Sequence, residues 1–186
     1  HLAPKGRIGL VLANGSLSSQ TGGEGEIRKK IIEADLVEGI VALPSQLFYS
    51  TGIPVCLWFL AKDKPQKGKT LFIDARNMGE MVTRRLRELD DEKDIKVMAK
   101  IFEDFRNGKE VSKPGVCAVA SIEEIAKQDY VLTPGRYVGI ADEEEDKEPY
   151  EKKVARLSSE ISELFKQSRI QEEEIRMQLS KIGINL

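Results

Sequence analysis

The chain has 186 residues, 40% of them hydrophobic and 32% charged, with a net charge of −2. That is room for one α/β-sized domain and an appendage, and no apolar run reaches the roughly 18 residues of a membrane span, so no membrane partner is expected. Near-neutral charge removes any global pull toward nucleic acid, so a DNA contact has to be local or belong to a larger assembly. His1 is the only histidine, which nearly excludes histidine acid–base chemistry. Cys56 and Cys117 lack CxxC spacing and read as buried, reduced thiols, so no metal is expected. No secretory signal precedes the first element, and a cytoplasmic location is expected. The opening HLAPKGRIGLVLA has no Met and almost no lead-in, as in a piece of a longer protein.

Arg7 to Ala13 (RIGLVLA) is apolar and rich in β-formers, and predicts a buried strand. The Gly- and Ser-rich loop NGSLSSQTGGEGE follows. A helix is predicted from Glu24 to Ala34, with Ile27, Ile31 and Ile32 at core spacing and Arg28, Lys29 and Lys30 outward. Leu36 to Leu43 predicts a second strand, stopped by Pro44, and Pro54 to Ala61 a third. Strand–helix–strand implies a right-handed parallel βαβ unit. The third strand follows after only about ten residues, too few for a parallel crossover, so it should run antiparallel to the second.

Lys62 to Lys69 is a polar break, and Thr70 to Asp74 a further strand. Helical spacing predicts helices from Met78 to about Leu89 and from Asp94 to Phe105. Val116 to Ala120 reads as a short strand, and Ser121 with Glu124 as the capping box of a following helix. Tyr130 to Tyr137 is extended and turn-like. An acidic linker at residues 141–146 leads to one long helix from about Glu148 to Ile182. Its narrow apolar seam includes Val154, Leu157, Ile161 and Leu164 and calls for a partner, either in cis or on another chain.

Three stretches invite a chemical reading. The loop from Asn14 follows the carboxyl end of a strand and opens a helix, where open α/β sheets bind ligands. It lacks both the G-x-G-x-x-G and P-loop spacings, so a structural glycine turn competes with a binding role. Phe48-Tyr49-Ser50-Thr51-Gly52 places adjacent aromatics at a strand end, suited to stacking on a flat ligand such as a base taken out of a duplex. The competing reading has Phe48 capping the core and Tyr49 facing water. Arg136, after Pro134-Gly135, is either a phosphate contact or a plain surface residue.

Taken in order, PKGRIGLVLANGSL, GEGEIRKKIIEADLVEGIVALPSQLFYSTGIPVCLWFLAK, TLFIDARN and ASIEEIAKQDYVLTPGRYV, with the charged terminal helix, resemble the modification (M) subunit of type I restriction-modification systems, an adenine-N6 DNA methyltransferase. The resemblance implies an α/β fold: the carboxyl part of a Rossmann-like S-adenosylmethionine-dependent methyltransferase sheet, starting at its fifth strand, with strands in spatial order fifth, seventh, sixth and the seventh antiparallel. A small α/β extension and a long C-terminal helix complete it. The division implied is residues 1–66 for the end of the catalytic domain, 67–140 for the extension and 141–186 for linker and helix. It implies further that Phe48 first, then Tyr49, packs against the flipped adenine. Thr51 and Gly52 shape that turn, Asn14 and Gly15 lie near the active site, and Arg136 stays a candidate DNA contact beside its reading as a plain surface residue. The family's glycine-rich cofactor motif and its Asn-Pro-Pro-Phe type motif do not occur here. S-adenosylmethionine therefore belongs to the complete parent, and this stretch alone is expected to be inactive, with no catalytic residue of its own. Implied partners are DNA, the specificity (S) and restriction (R) subunits and a second M subunit, with Val154, Leu157, Ile161 and Leu164 as the subunit contact. The alternative is a non-enzymatic α/β interaction module with a helical dimerisation arm.

Overall fold

The structure, a computed structural model, describes residues 2–140 and 150–181. They fall in two compact units, His1–Asp142 and Glu143–Leu186. The predicted acidic linker lies outside the described residues, as do Glu148 and Ile182.

The first unit is built on a five-stranded sheet. β1 (Arg7–Ala13), β2 (Val37–Ala42), β3 (Val55–Ala61), β4 (Lys69–Asp74) and β7 (Cys117–Ser121) stand in the order β1-β3-β2-β4-β7. β3 is antiparallel to both β1 and β2, as its short connection requires; β2 and β4 are parallel, and β7 is antiparallel to β4. α1 (Glu24–Glu33) and α3 (Ile122–Lys127) cover one face, where Ile32 and Ile125 pack with Ile40, Trp58 and Phe72. α2 (Lys96–Arg106) covers the other, bringing Phe102 and Phe105 onto Val41, Phe59 and Ile73. β2 is buried along its whole length, which explains why VEGIVA shows no apolar–polar alternation. Cys56 and Cys117 are buried and free, and the Ser121–Glu124 capping box is present.

A carboxylate sits inside this sandwich. The pairing of β2 with β3 slips between Val37 and Gly39, a bulge that turns Glu38 inward. Its buried carboxylate accepts from Arg7 of β1 (2.7 and 2.8 Å) and from both arms of Arg106 of α2 (2.8 Å each). The Arg106 guanidinium in turn lies 4.7 Å from the Phe102 ring centre. Gly39 beside it has to be glycine, because a Cβ there would stand 2.7 Å from that ring. A buried carboxylate held by two guanidiniums is stable only while both are present.

Some expectations need correction. Met78 to Leu89 is not a helix but a hairpin of β5 (Glu80–Met81) and β6 (Arg87–Glu88). The apolar spacing there is helical, yet Gly79 sits at φ +77° and Arg87 N–H donates to Gln46 O at 2.8 Å, so the backbone groups find tertiary partners instead. Arg28 does not face out: it is 3% exposed, while Ile27 is 56% exposed. Arg28 and Ile32, one turn apart, form the buried face of α1. In the polar break, Lys64 is buried too, donating to Val37 O (2.9 Å) and Lys69 O (2.8 Å) beside Asp35 (2.6 Å).

β1 lies at the sheet's edge, with Leu10, Val11 and Leu12 exposed. The strand read from the sequence as buried is thus largely exposed, because β3 alone pairs with it. The second unit contains α4 (Tyr150–Lys181), 32 residues and about 48 Å long. Its seam residues Val154, Leu157, Ile161 and Leu164 are exposed, and Glu172–Arg176 (2.9 Å) is among the ion pairs along it.

Burial pushes the Glu38 carboxyl up, but the two arginines more than offset it and hold it below the usual glutamate range. The stabilisation it supplies is therefore complete above the ordinary glutamate pKa of about 4.3 and fades as pH falls through its lower folded value. Glu38→Gln should lower stability by about 2–3 kcal/mol at pH 7. The gap to the wild type should shrink below about pH 4, read as urea midpoints across a pH series.

Candidate functional site

Because β3 runs against its neighbours, the carboxyl ends of β1 and β2 and the start of β3 share one edge of the sheet. Ala13 faces Val55 and Ala42 faces Cys56. Asn14 N–H donates to Pro54 O (3.3 Å) and Leu43 N–H to Val55 O (2.9 Å). The loop after β1 and the turn before β3 are thus stitched together, which brings the predicted residues Asn14 and Gly15 to the same edge as the turn from Leu47 to Pro54.

The turn itself is a small closed device. Gln46 enters it at φ +65°, and Phe48 and Thr51 form an antiparallel bridge. Thr51 Oγ1 accepts from Ile53 N–H at 3.2 Å, fixing the exit. Gly52 sits beside the Gln46 side chain, where a Cβ would be 3.7 Å from Cγ. Phe48 is 42% exposed and Tyr49 92% exposed, so the turn holds two aromatic rings out toward solvent.

The loop after β1 is held from beneath. The Arg28 guanidinium donates to Ser19 O (2.5 Å), Ser16 O (3.3 Å) and Tyr130 O (3.1 Å). Leu132 N–H closes the same junction on Leu17 O at 2.8 Å. Ser16 Oγ accepts from the Trp58 indole N–H at 3.3 Å and lies 3.5 Å from Cys56 Sγ. Burial pushes that thiol's pKa up, so Cys56 is a packed thiol and not a nucleophile. Gly15 O accepts from Ser18 N–H (3.1 Å) and Ser19 N–H (2.8 Å). Asn14 Oδ1 is buried without a hydrogen-bond partner, an acceptor left open at this edge.

Arg136 stands elsewhere. It is exposed over β7 and α3, lining a cleft with Ala120, Glu124, Lys127 and Tyr137 that includes no residue of the 47–54 turn. Its neighbour Tyr137 belongs to the core, stacked on Phe72 at 3.9 Å with its hydroxyl donating to Val131 O at 2.5 Å. Burial pushes the Tyr137 pKa up to about 12. Among the described residues no group of three or more His, Cys, Asp or Glu is placed to hold a metal. At the head of α1 the Gln20 side chain lies against Gly25, where a Cβ would be 1.8 Å from Gln20 Oε1, while Gly22 and Gly23, both at positive φ, have open space where a Cβ would stand.

The N-6 DNA methylase family profile matches residues 1–146. The chain belongs to the N-6 DNA methylase family. Among curated relatives, it is 47% identical over 183 residues to the type I restriction enzyme HindI methylase subunit of Haemophilus influenzae, covering 98% of this chain and 41% of that protein. To the MjaIX methylase subunit of Methanocaldococcus jannaschii it is 46% identical over 186 residues, covering 98% and 32% respectively. Of the solved structures, the type I restriction-modification methyltransferase subunit from Streptococcus thermophilus superposes with a TM-score of 0.60 at 28% identity, over 73% of this chain and 27% of that one. This N-6 DNA methylase chain therefore spans less than half the length of the relatives it matches. Its mixed sheet is of the kind found in the structures of such methyltransferase subunits.

Of the residues at this edge, sequence reasoning missed Arg28, hidden in a run of three cations that looks solvated. The only signal was that Arg28 and Ile32 share a helical face. Tyr49→Ala and Phe48→Ala should each change folding stability by less than about 1 kcal/mol. Arg28→Met, which strips three carbonyls of their donor, should remove about 3 kcal/mol. Chemical denaturation of the three variants checks both outcomes.

Proposed function

We propose that this chain is the carboxyl part of the modification subunit of a type I restriction-modification system, an adenine-specific DNA methyltransferase, and that it supplies the wall against which the target base is held. The 47% identity to a type I methylase subunit across 98% of the chain carries this reading. On it, β1, β2 and β3 are the fifth, sixth and seventh strands of the methyltransferase sheet, residues 1–66 close the catalytic domain and 67–140 extend the same sheet.

The part played by the chain's own residues is physical. A flipped adenine needs a π-face to replace the stacking it has lost. Phe48 provides one at the sheet's edge, on a turn whose backbone is fixed by the Phe48–Thr51 bridge and the Thr51–Ile53 hydrogen bond. Tyr49 stands beside it as the second ring. The open Asn14 acceptor, on the neighbouring loop, suits a donor on the incoming nucleotide or on the rest of the enzyme. Stacking draws on no titratable group, so this edge works without a histidine. S-adenosylmethionine, which donates the methyl group in this reaction, is assigned to residues outside this chain, since the family's glycine-rich cofactor motif and Asn-Pro-Pro-Phe type motif do not occur in this sequence.

Arg136, on its separate surface, serves as a more distant DNA contact. The seam Val154, Leu157, Ile161 and Leu164 of α4 faces a helical partner, assigned to the specificity subunit or a second modification subunit; the restriction subunit completes the assembly. A long helix with one apolar stripe needs such a partner to bury it.

In the complete subunit, Phe48→Ala should lower kcat/KM for DNA methylation by about 10- to 100-fold, the worth of one base–aromatic stack, while Phe48→Tyr should retain most of it. An unchanged rate for Phe48→Ala removes the ring from the base pocket. Calorimetric titration of S-adenosylmethionine into the 186-residue chain should show no binding; one-to-one binding would contradict the placement of the donor site elsewhere.

A further inference from the structure

The hairpin that replaces the expected helix carries a second feature. Thr83 Oγ1 accepts from Arg85 N–H (3.2 Å) and Leu86 N–H (3.0 Å), and Val82 N–H donates to Leu86 O (3.0 Å). Residues 82–86 form a closed tip, anchored by the buried side chain of Leu86. Behind it the Arg87 guanidinium donates to Met78 O (3.1 Å) and Gly79 O (2.8 Å). Gly79 permits this closure, because a Cβ there would lie 2.5 Å from Glu88 O. Arg87 N–H reaches Gln46 O, two residues before Phe48, so the tip is tied by backbone to the aromatic turn.

Arg84 and Arg85 project from this tip. Both are exposed, and neither guanidinium has an acceptor among the described residues. The stem of the hairpin has the opposite sign. A groove of about 650 Å³ is lined by Glu80, Glu88, Asp90, Asp91 and Asp94 together with Lys93. The backbone N–H groups of Lys93 and Glu92 hold the Asp90 carboxyl below its usual range. An anion is thus repelled at the acidic groove and attracted at the tip, whose chain is tied to the aromatic turn through Arg87 N–H and Gln46 O.

We infer that Arg84 and Arg85 grip the phosphate backbone of the nucleic-acid strand whose base stacks on Phe48. Guanidinium forks match phosphate oxygens, and two of them on a fixed tip set the strand's register relative to the ring. A net charge of −2 over the chain is no obstacle, because the attraction is confined to one tip. This grip rests on the stacking role proposed for the turn.

The test uses the complete methylase assembled with its partner subunits, and duplexes with and without the target site, over a salt series. For Arg84→Ala/Arg85→Ala, binding to both duplexes should weaken by the same factor. The slope of log K against log salt should fall by about 1.8, or 0.9 for each lost phosphate contact. Arg84→Lys/Arg85→Lys should restore the slope. An unchanged slope overturns the inference, as does a loss confined to the site-bearing duplex. Failure of subunit assembly with an unchanged slope also overturns it, in favour of an acidic protein surface. Phe48→Ala, measured alongside for methylation, separates the two readings. Full activity there with a reduced slope in the arginine variant sinks the stacking role and keeps the grip; the reverse sinks the grip alone.

Discussion

The direction of β3 is the constraint from which the candidate site follows. β3 is wedged between β1 and β2 and runs against both, so the chain that leaves β2 must turn back at the same edge where β1 ends. A parallel β3 would have needed a crossover to the far end of the sheet, and the aromatic turn would not lie beside Asn14. Here the two connections share that edge and are joined through Asn14 N–H and Pro54 O.

Buried cations and one buried carboxylate then hold the elements against the sheet. Glu38 ties β1 to α2 through two arginines at the β2 bulge, and Arg28 ties the loop after β1 to the segment at Tyr130. Lys64 draws the carbonyl oxygens of Val37 and Lys69 together beneath β2 and β4. Each group is costly to bury alone and stable only with its partners in place, which favours one arrangement over near alternatives. Phe48 and Tyr49 have the opposite character: their backbone is fixed while their rings are exposed to solvent.

The strands were legible because their signals are local. RIGLVLA, VEGIVA and VCLWFLA are bounded by turns and rich in β-formers, and the length of the 43–54 connection alone implies the antiparallel return. The Ser121–Glu124 capping box was equally plain. The hairpin at residues 80–88 was not, because its apolar spacing is that of a helix. What overrides the period is distant in sequence: Gln46 O accepts from Arg87 N–H. Arg28 was hidden for the same reason, since its acceptors include Ser16 O and Tyr130 O, and Tyr130 is 102 residues away.

By itself, then, the sequence determined where the five strands of the main sheet lie, which way β3 must run, and that two aromatics sit on a turn before it. These depend on periodicity, connection length and capping chemistry, all of which act over a few residues. Only the tertiary structure decided that Asn14 meets the turn, that Arg28 is an internal pin, and that Arg84 and Arg85 stand on a tip tied to Gln46. Those outcomes rest on backbone carbonyls finding donors far along the chain, and no local pattern of side chains encodes which carbonyl will be free.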